Sequence, residues 1–365
     1  MKSEQAFPWL KLRRVPGVGD ILAKRLIVAF TTPEAVFSAS EEALWATEGI
    51  SEGVAKSILT FDGADEIKRE IEKIDKEGVT LLGLTDPDYP RLLSMIDDPP
   101  LLLYRKGIPM DPDSYPVAIV GTRHMTPYGK SVTERMTEGL VQSGMTIVSG
   151  FARGIDAVAH QAALNGEGKT VAVLGCGVDR VYPPEHRKLY DRIVEQGTFF
   201  SEFPMGATPE PYNFPQRNRT LSGMSHGCVV IEAARKSGAL ITARFALEQG
   251  REVFAVPGSI FAETSRGTHF LLQSGAKLIE NAEDIISELR PQWQKHKATA
   301  ESTKPALVLV GDEEKLYHLL SLEPKHIDTL IDESSLEPAN VSHRLLELEL
   351  KGIIRQLVGQ NYIRV

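Results

Sequence analysis

From residue 117 the chain alternates short apolar runs with stretches of helical texture, and that alternation narrows the possible folds more than any other feature. Val117–Val120, Thr146–Ser149, Thr170–Leu174, Thr198–Ser201, Cys228–Ile231, Glu252–Val256 and Lys277–Ile279 read as strands. Pro127–Gln142, Ile155–Leu164, Pro184–Val194 and Ala239–Gln249 read as helices in the gaps. Strands that are apolar along their length need cover on both faces, and intervening helices supply it. The pattern predicts an α/β domain with a Rossmann-like parallel sheet.

The flanks have different textures. Residues 1–83 read as short helices, with the turn Val15-Pro16-Gly17-Val18-Gly19 leading into Asp20–Phe30. This suits a SAM-like or helix-hairpin-helix bundle, or a plain helical hairpin. Residues 84–115 are rich in Pro and Asp and read as an extended connector into the core, which together span 84–290. Residues 291–306 lack apolar periodicity and read as a linker. Residues 307–365 give helices followed by two strands around Gly359-Gln360, the layout of a winged helix.

The net charge of −8 does not advertise a nucleic-acid binder, so any contact with phosphates needs a local basic patch. Residues 115–290 hold 18 Lys/Arg against 18 Asp/Glu, whereas 1–114 hold 14 against 20 and 306–365 hold 6 against 10. The middle segment is therefore where an anion site is expected. The two cysteines, Cys176 and Cys228, sit in apolar surroundings and read as buried thiols of a reducing compartment. Neither a membrane span nor a secretory leader is visible, so a cytoplasmic location is expected, and no metal or cofactor is called for.

In a parallel sheet, ligands bind beyond the carboxyl ends of the strands. Here those ends carry Gly121-Thr122-Arg123-His124, then Ser149-Gly150-Phe151-Ala152-Arg153-Gly154-Ile155-Asp156, and later Phe214-Pro215-Gln216-Arg217-Asn218-Arg219. Arg123, Arg153, Arg217 and Arg219 offer charge and planar forks, and Phe151 and Phe214 offer faces on which bases could stack. Lys236, ahead of Ser237-Gly238, is a further basic candidate by position. Plainer roles stand beside these. Asp156 can cap its helix or pair with Arg153, His160 can be a packed core histidine, and Arg217 and Arg219 can be structural ion-pair residues. Glu232 at a strand end could act as a general base, but no partner histidine accompanies it. No nucleophile–base pair, Walker loop or complete dinucleotide fingerprint is present.

The loops V-G-T-R (120–123), S-G-F-A-R-G-I-D-x-x-A-H (149–160), F-P-x-R-N-R (214–219), E-A-x-x-x-S-G-A-x-x-T-A (232–243) and V-P-G (256–258) together resemble the DNA-processing protein A (DprA/Smf) family. One departure is Gly267-Thr268-His269, where the family pattern has asparagine third. The resemblance implies a protein without turnover that binds incoming single-stranded DNA, dimerises through its core and loads the RecA recombinase during natural transformation. It implies a pocket made by Arg123, Ser149, Gly150, Arg153, Gly154, Asp156, Arg217, Asn218 and Arg219. The alternative is a nucleotide-processing enzyme of the phosphoribohydrolase type with Glu232 as its base. The candidate reading helix of the tail, Pro338–Leu350, carries Glu347 and Glu349, so a protein contact is expected of it rather than duplex reading.

Overall fold

The computed structural model describes residues 3–112, 114–289, 309, 311–321, 324–357 and 359–364. The chain divides into two compact units, residues 1–295 and 296–365.

The first unit opens with six helices: α1 (Ser3–Arg14), α2 (Asp20–Phe30), α3 (Pro33–Ser38), α4 (Glu41–Trp45), α5 (Glu52–Thr60) and α6 (Ala64–Lys76). Thr32, Ser40 and Ser51 start three of them by accepting backbone N–H groups with their hydroxyls. Leu10, Leu12, Leu26, Val36, Leu44, Ile58 and Ile67 close their common core.

Nine strands then form one sheet: β1 (Thr80–Gly83), β2 (Leu102–Gly107), β3 (Tyr115–Val120), β4 (Met145–Ser149), β5 (Thr170–Val173), β6 (Thr198–Ser201), β7 (Gly227–Val230), β8 (Glu252–Ala255) and β9 (Lys277–Leu278). Their order is β1-β2-β6-β5-β4-β3-β7-β8-β9. The seven strands from β6 to β9 in that order are parallel, as expected, and their buried apolar residues pack on both faces. The expected connector is corrected. Leu102–Gly107 is a buried strand that pairs antiparallel with β1 and with β6, so the sheet is mixed. The Leu101–Tyr104 apolar run carries this strand, although the prolines before it mask the signal in the sequence. A short helix, α7 (Arg91–Ser94), lies within the same segment.

The covering helices are α8 (Pro127–Gln142), α9 (Ile155–Asn165), α10 (Arg187–Gln196), α11 (Asn213–Gly223), α12 (Gly238–Glu248), α13 (Arg266–Gln273) and α14 (Ala282–Leu289). Thr126 caps α8 ahead of Pro127, and Ser237 caps α12. Gly154 precedes α9 with φ of 74°, and a Cβ there would lie 2.2 Å from the Thr122 carbonyl oxygen. Only glycine lets the α9 end approach the β3 loop so closely.

The helical region is bolted to the sheet by polar groups. Arg219 of α11 meets Asp20 at 3.0 Å, Asp98 at 2.7 Å and Glu202 at 3.0 Å. Lys24 Nζ donates to the Ile96 carbonyl at 2.6 Å, and Arg13 donates to the Glu202 carbonyl. The hairpin turn before α2 therefore faces the core, with Asp20 as its first helical residue meeting Arg219.

The second unit has helices α15 (Asp312–Leu319), α16 (Ile327–Ser334) and α17 (Pro338–Leu350), with strands β10 (Lys325–His326), β11 (Ile354–Leu357) and β12 (Asn361–Arg364). The strands form an antiparallel sheet in the order β10-β12-β11, a winged-helix arrangement. Leu345 and Leu348 are buried, whereas Leu346 is exposed. The expected linker, 291–306, lies outside the described residues.

Candidate nucleic-acid interface

The chain runs from β3 through β4 and β5 to β6 on one side, then returns to lay β7, β8 and β9 on the other. The strand order thus reverses between β3 and β7, where a crevice opens beyond the strand ends. A cleft of about 730 Å³ lies there, lined by Gly121–His124, Phe214, Arg217, Asn218, Lys236 and the start of α12.

The β3 loop is held by its backbone. Thr122 N–H donates to the Glu232 carbonyl at 2.8 Å, and Ile155 N–H donates to the Thr122 carbonyl at 3.2 Å. A Cβ at Gly121 would stand 2.5 Å from Ile155, so the loop can lie flat on α9 only with glycine there. Arg123 is exposed, with its guanidinium 5.5 Å from the centre of the Phe214 ring. An arginine over an aromatic face at this separation is a cation–π pair.

The β4 loop is more self-contained than its glycines suggest. Gly150 and Ala152 donate their N–H groups to Asp156 Oδ2 at 3.1 and 3.3 Å. These two backbone donors are therefore taken by a carboxylate of the same segment and are not free for a ligand. Burial raises the pKa of Asp156, opposed by Arg217 and those two N–H groups. Ser149 donates to the Ile119 carbonyl at 2.6 Å and is fully buried, so its hydroxyl ties β4 to β3 rather than facing a ligand. Phe151 is corrected outright. Its side chain is 0% exposed, with ring centres of His186 and Phe199 each 5.2 Å away, and it offers no face to a base. Its backbone adopts φ of 57°, in the left-handed region that is uncommon outside glycine. Arg153 is half exposed and paired with Glu185.

The F-P-x-R-N-R segment, expected in a loop, is the first part of α11. Helical spacing gives the motif two faces, because residues two apart differ by about 200° around the axis. Phe214, Arg217 and Asn218 line the cleft. Arg217 is buried, with Nε donating to Asn218 Oδ1 at 2.9 Å and Nη1 to the carbonyls of Val173, at 2.8 Å, and Gly150. Burial lowers its pKa, with Asp156 opposing. Asn218 Nδ2 reaches the Gly238 carbonyl at 3.4 Å, joining α11 to the start of α12. Arg219 points away into the acid cage already described and does not line the cleft. Burial works against its charge, yet Glu202, Asp98 and Asp20 raise its pKa above the ordinary value. Arg219 is thus a structural ion-pair residue, correcting its place among the pocket residues.

Lys236 is exposed on the cleft wall beside Ser237. Among the lining side chains, Arg123, Arg217 and Lys236 face a single carboxylate, Asp156. The cleft is therefore locally cationic in an acidic chain. Tyr182 adds an aromatic wall, its ring centre 6.0 Å from that of Phe214. The sequence signal for it was a tyrosine next to two prolines in a strand-end loop, and sequence reasoning passed over it.

Two groups weighed as acid or base are placed otherwise. Glu232 accepts from Thr126 N at 2.9 Å, Thr126 Oγ1 at 2.6 Å and Thr264 Oγ1 at 3.2 Å, and so clamps two loops together. Burial lowers the pKa of His160 to about 3, which keeps it neutral, and its Nδ1 lies 2.7 Å from Thr170 Oγ1. Since that hydroxyl donates to the Ile147 carbonyl at 3.0 Å, Nδ1 carries the imidazole proton.

Residues 80–290 match the family described as DNA recombination-mediator protein A, and residues 299–360 match the DprA winged helix domain. The chain belongs to the DNA recombination-mediator protein A family. Protein Smf of Synechocystis is 35% identical over 395 residues, covering 99% of both chains. DNA processing protein DprA of Bacillus subtilis is 41% identical over 225 residues, which is 61% of this chain and 76% of that one. The X-ray structure of DprA from Streptococcus pneumoniae has a TM-score of 0.65 at 32% identity, covering 80% of this chain and 99% of that one. A DprA from Helicobacter pylori, whose single-stranded DNA binding mode has been described, has a TM-score of 0.52 at 31% identity, covering 59% and 96%. This member of the family is accordingly a DNA-processing and recombination protein, built on a Rossmann-like core with a winged helix. Among its described residues, no helix is long and apolar enough to cross a membrane.

Proposed function

We propose that this protein binds single-stranded DNA in the crevice between β3 and β7 and passes it to a RecA recombinase during natural transformation, without chemical turnover. The observation that carries the reading is the cleft itself. Cationic Arg123 and Arg217 lie over the Phe214 ring, and Lys236 lines the same cleft, at the point where the strand order reverses. Positive charge with an aromatic face suits an unpaired strand, because a duplex hides its bases. The single-strand binding named for the H. pylori relative supports the same ligand. Gly150, Gly154 and Asp156 shape the crevice in this reading, while Arg123, Phe214, Arg217, Asn218 and Lys236 meet the DNA.

A homodimer through the core is part of the proposal. Ile260, Phe261, Phe270 and Leu278 are exposed on β9, α13 and the segment after β8, at the free side of the sheet. Exposed apolar side chains in number mark association surfaces. A cytoplasmic location belongs to the same proposal, and buried thiols and the proposed recombinase partner are in keeping with it. Burial pushes Cys176 up to about 11 and Cys228 up to about 12, as befits inert reduced cysteines.

The test is a fluorescence-anisotropy titration with single- and double-stranded oligonucleotides of equal length at several salt concentrations. A clear preference for the single strand, with affinity falling steeply in salt, is expected. Equal affinity for both forms would overturn the reading.

A further inference from the structure

We propose that Glu185 is a built-in competitor for the DNA backbone: it holds the Arg153 guanidinium in the free protein, yields it to a phosphate on binding, and so sets how tightly the crevice holds a single strand. The inference rests on the single-strand reading above and names a residue that determines affinity at that site.

Arg153 does not itself line the cleft, but its loop borders it. Its neighbour Ala152 lines the cleft, and the next residue, Gly154, packs against the backbone of Thr122 and Arg123. Arg153 and Arg123 therefore spring from adjoining loops. Arg153 Nε donates to Glu185 Oε1, and both side chains are 49% exposed. Glu185 sits in a short 3₁₀ turn, Pro184–His186, just after the cleft-wall residue Tyr182. His186 Nδ1, 3.3 Å from the Phe151 carbonyl, fastens that turn to the same loop. The acid is thus held in place beside the arginine even when their bond opens.

The two acids beside this loop differ in kind. Asp156 is buried, and its bonds to Gly150 and Ala152 are part of the fold. The Arg153–Glu185 pair is exposed, and exposed ion pairs are weak and screened by salt. A phosphate oxygen can replace a carboxylate oxygen on a guanidinium fork with equal geometry. Arg153 is therefore the exchangeable donor at this end of the crevice. The Arg153 bond holds Glu185 below the usual carboxylate range, so it is ionised at neutral pH. Once displaced, it stands as a negative charge beside the incoming phosphate.

Removing that charge while keeping the shape tests the idea. The full chain and Glu185→Gln are titrated with a fluorescein-labelled oligothymidylate at low salt. Affinity should rise by about fivefold, the size of one like-charge repulsion at about 4 Å in a water-like dielectric, as befits side chains this exposed. The slope of log affinity against log salt should move by much less than roughly 0.7, the single-strand value for one phosphate contact, because Arg153 meets its phosphate in both proteins. Glu185→Lys should exceed Glu185→Gln, which keeps the test open if glutamine disturbs the turn. In an Arg153→Ala background, Glu185→Gln should add less than twofold, because the acid acts through Arg153. Unchanged or weaker binding by both Glu185 variants would overturn the proposal. So would an equal gain with and without Arg153, which would make Glu185 only a part of the general field. If the unaltered protein binds no oligothymidylate at all, the single-strand reading itself fails and this inference with it.

Discussion

Replacing Arg219 with methionine separates a structural from a DNA-binding role for the second arginine of the F-P-x-R-N-R motif. Its guanidinium meets Glu202, whose side chain is 4% exposed, and the more exposed Asp20 and Asp98 at 29% and 37%. Methionine fills the volume and leaves Glu202 buried without its partner. Breaking a buried pair by removing one member costs roughly 3–5 kcal/mol. Asp20 and Asp98 are partly exposed, so solvent screens their pairs and the loss adds no more than about 1 kcal/mol each. Glu202 keeps its bonds from Gln216 at 3.1 Å and Thr220 at 2.9 Å, which offsets part of the loss. A net destabilisation of about 3–4 kcal/mol follows, read as a lower urea midpoint with the slope unchanged. The cost should depend on pH. Burial raises the pKa of Glu202 even with Arg219 present, and without it the rise is larger. A carboxyl that prefers its proton in the folded state destabilises the fold as pH climbs past the unfolded value near 4.3. The Arg219→Met deficit should therefore shrink as pH falls from 7 towards that value. Adding Glu202→Met should recover much of the loss, since the charge and its partner are then both absent. Single-strand affinity per folded molecule should stay unchanged. Loss of affinity with an unmoved unfolding transition would refute the structural assignment and return Arg219 to the interface.

Three further outcomes are expected. Arg123→Ala should weaken single-strand binding and flatten the salt slope by roughly 0.7, with little change in the thermal transition, and Arg123→Lys separates charge from fork geometry; an anisotropy titration that leaves both affinity and slope intact would remove Arg123 from the site. Phe214→Ala should reduce affinity by about 1–3 kcal/mol, the worth of one stacked base, whereas Phe151→Ala should cost about 3–5 kcal/mol of stability and leave binding by the folded fraction alone; the reverse pattern would contradict the burial of Phe151. Deleting residues 299–365 should preserve single-strand affinity, because residues 306–365 hold 6 Lys/Arg against 10 Asp/Glu and on balance repel phosphates. A well-folded truncation that no longer bound DNA would move the site out of the core.

The amino-acid sequence by itself determined the layering of this protein. Apolar runs such as Val117–Val120 and Cys228–Ile231 can be satisfied only by a sheet covered on both faces, and the intervening helical periods supply the cover. It also determined where a ligand should sit, because strand-end loops with glycine and arginine recur in order along the chain. Even the winged helix was legible, from helical texture followed by two strands around a glycine turn. What the tertiary structure alone decided was which member of each motif faces the crevice. Phe151 and Phe214 look alike in sequence, yet the Phe151 ring packs in the core against His186 and Phe199 while α11 delivers Phe214 to the cleft. Arg217 and Arg219 are two residues apart, and only the discovery that they share a helix reveals that they point to opposite sides. The acids that engage Arg219 come from positions 20, 98 and 202, and Glu185 meets Arg153 across 32 positions. No local pattern encodes such pairings, because they arise when distant segments are brought together by the burial of apolar surface around them.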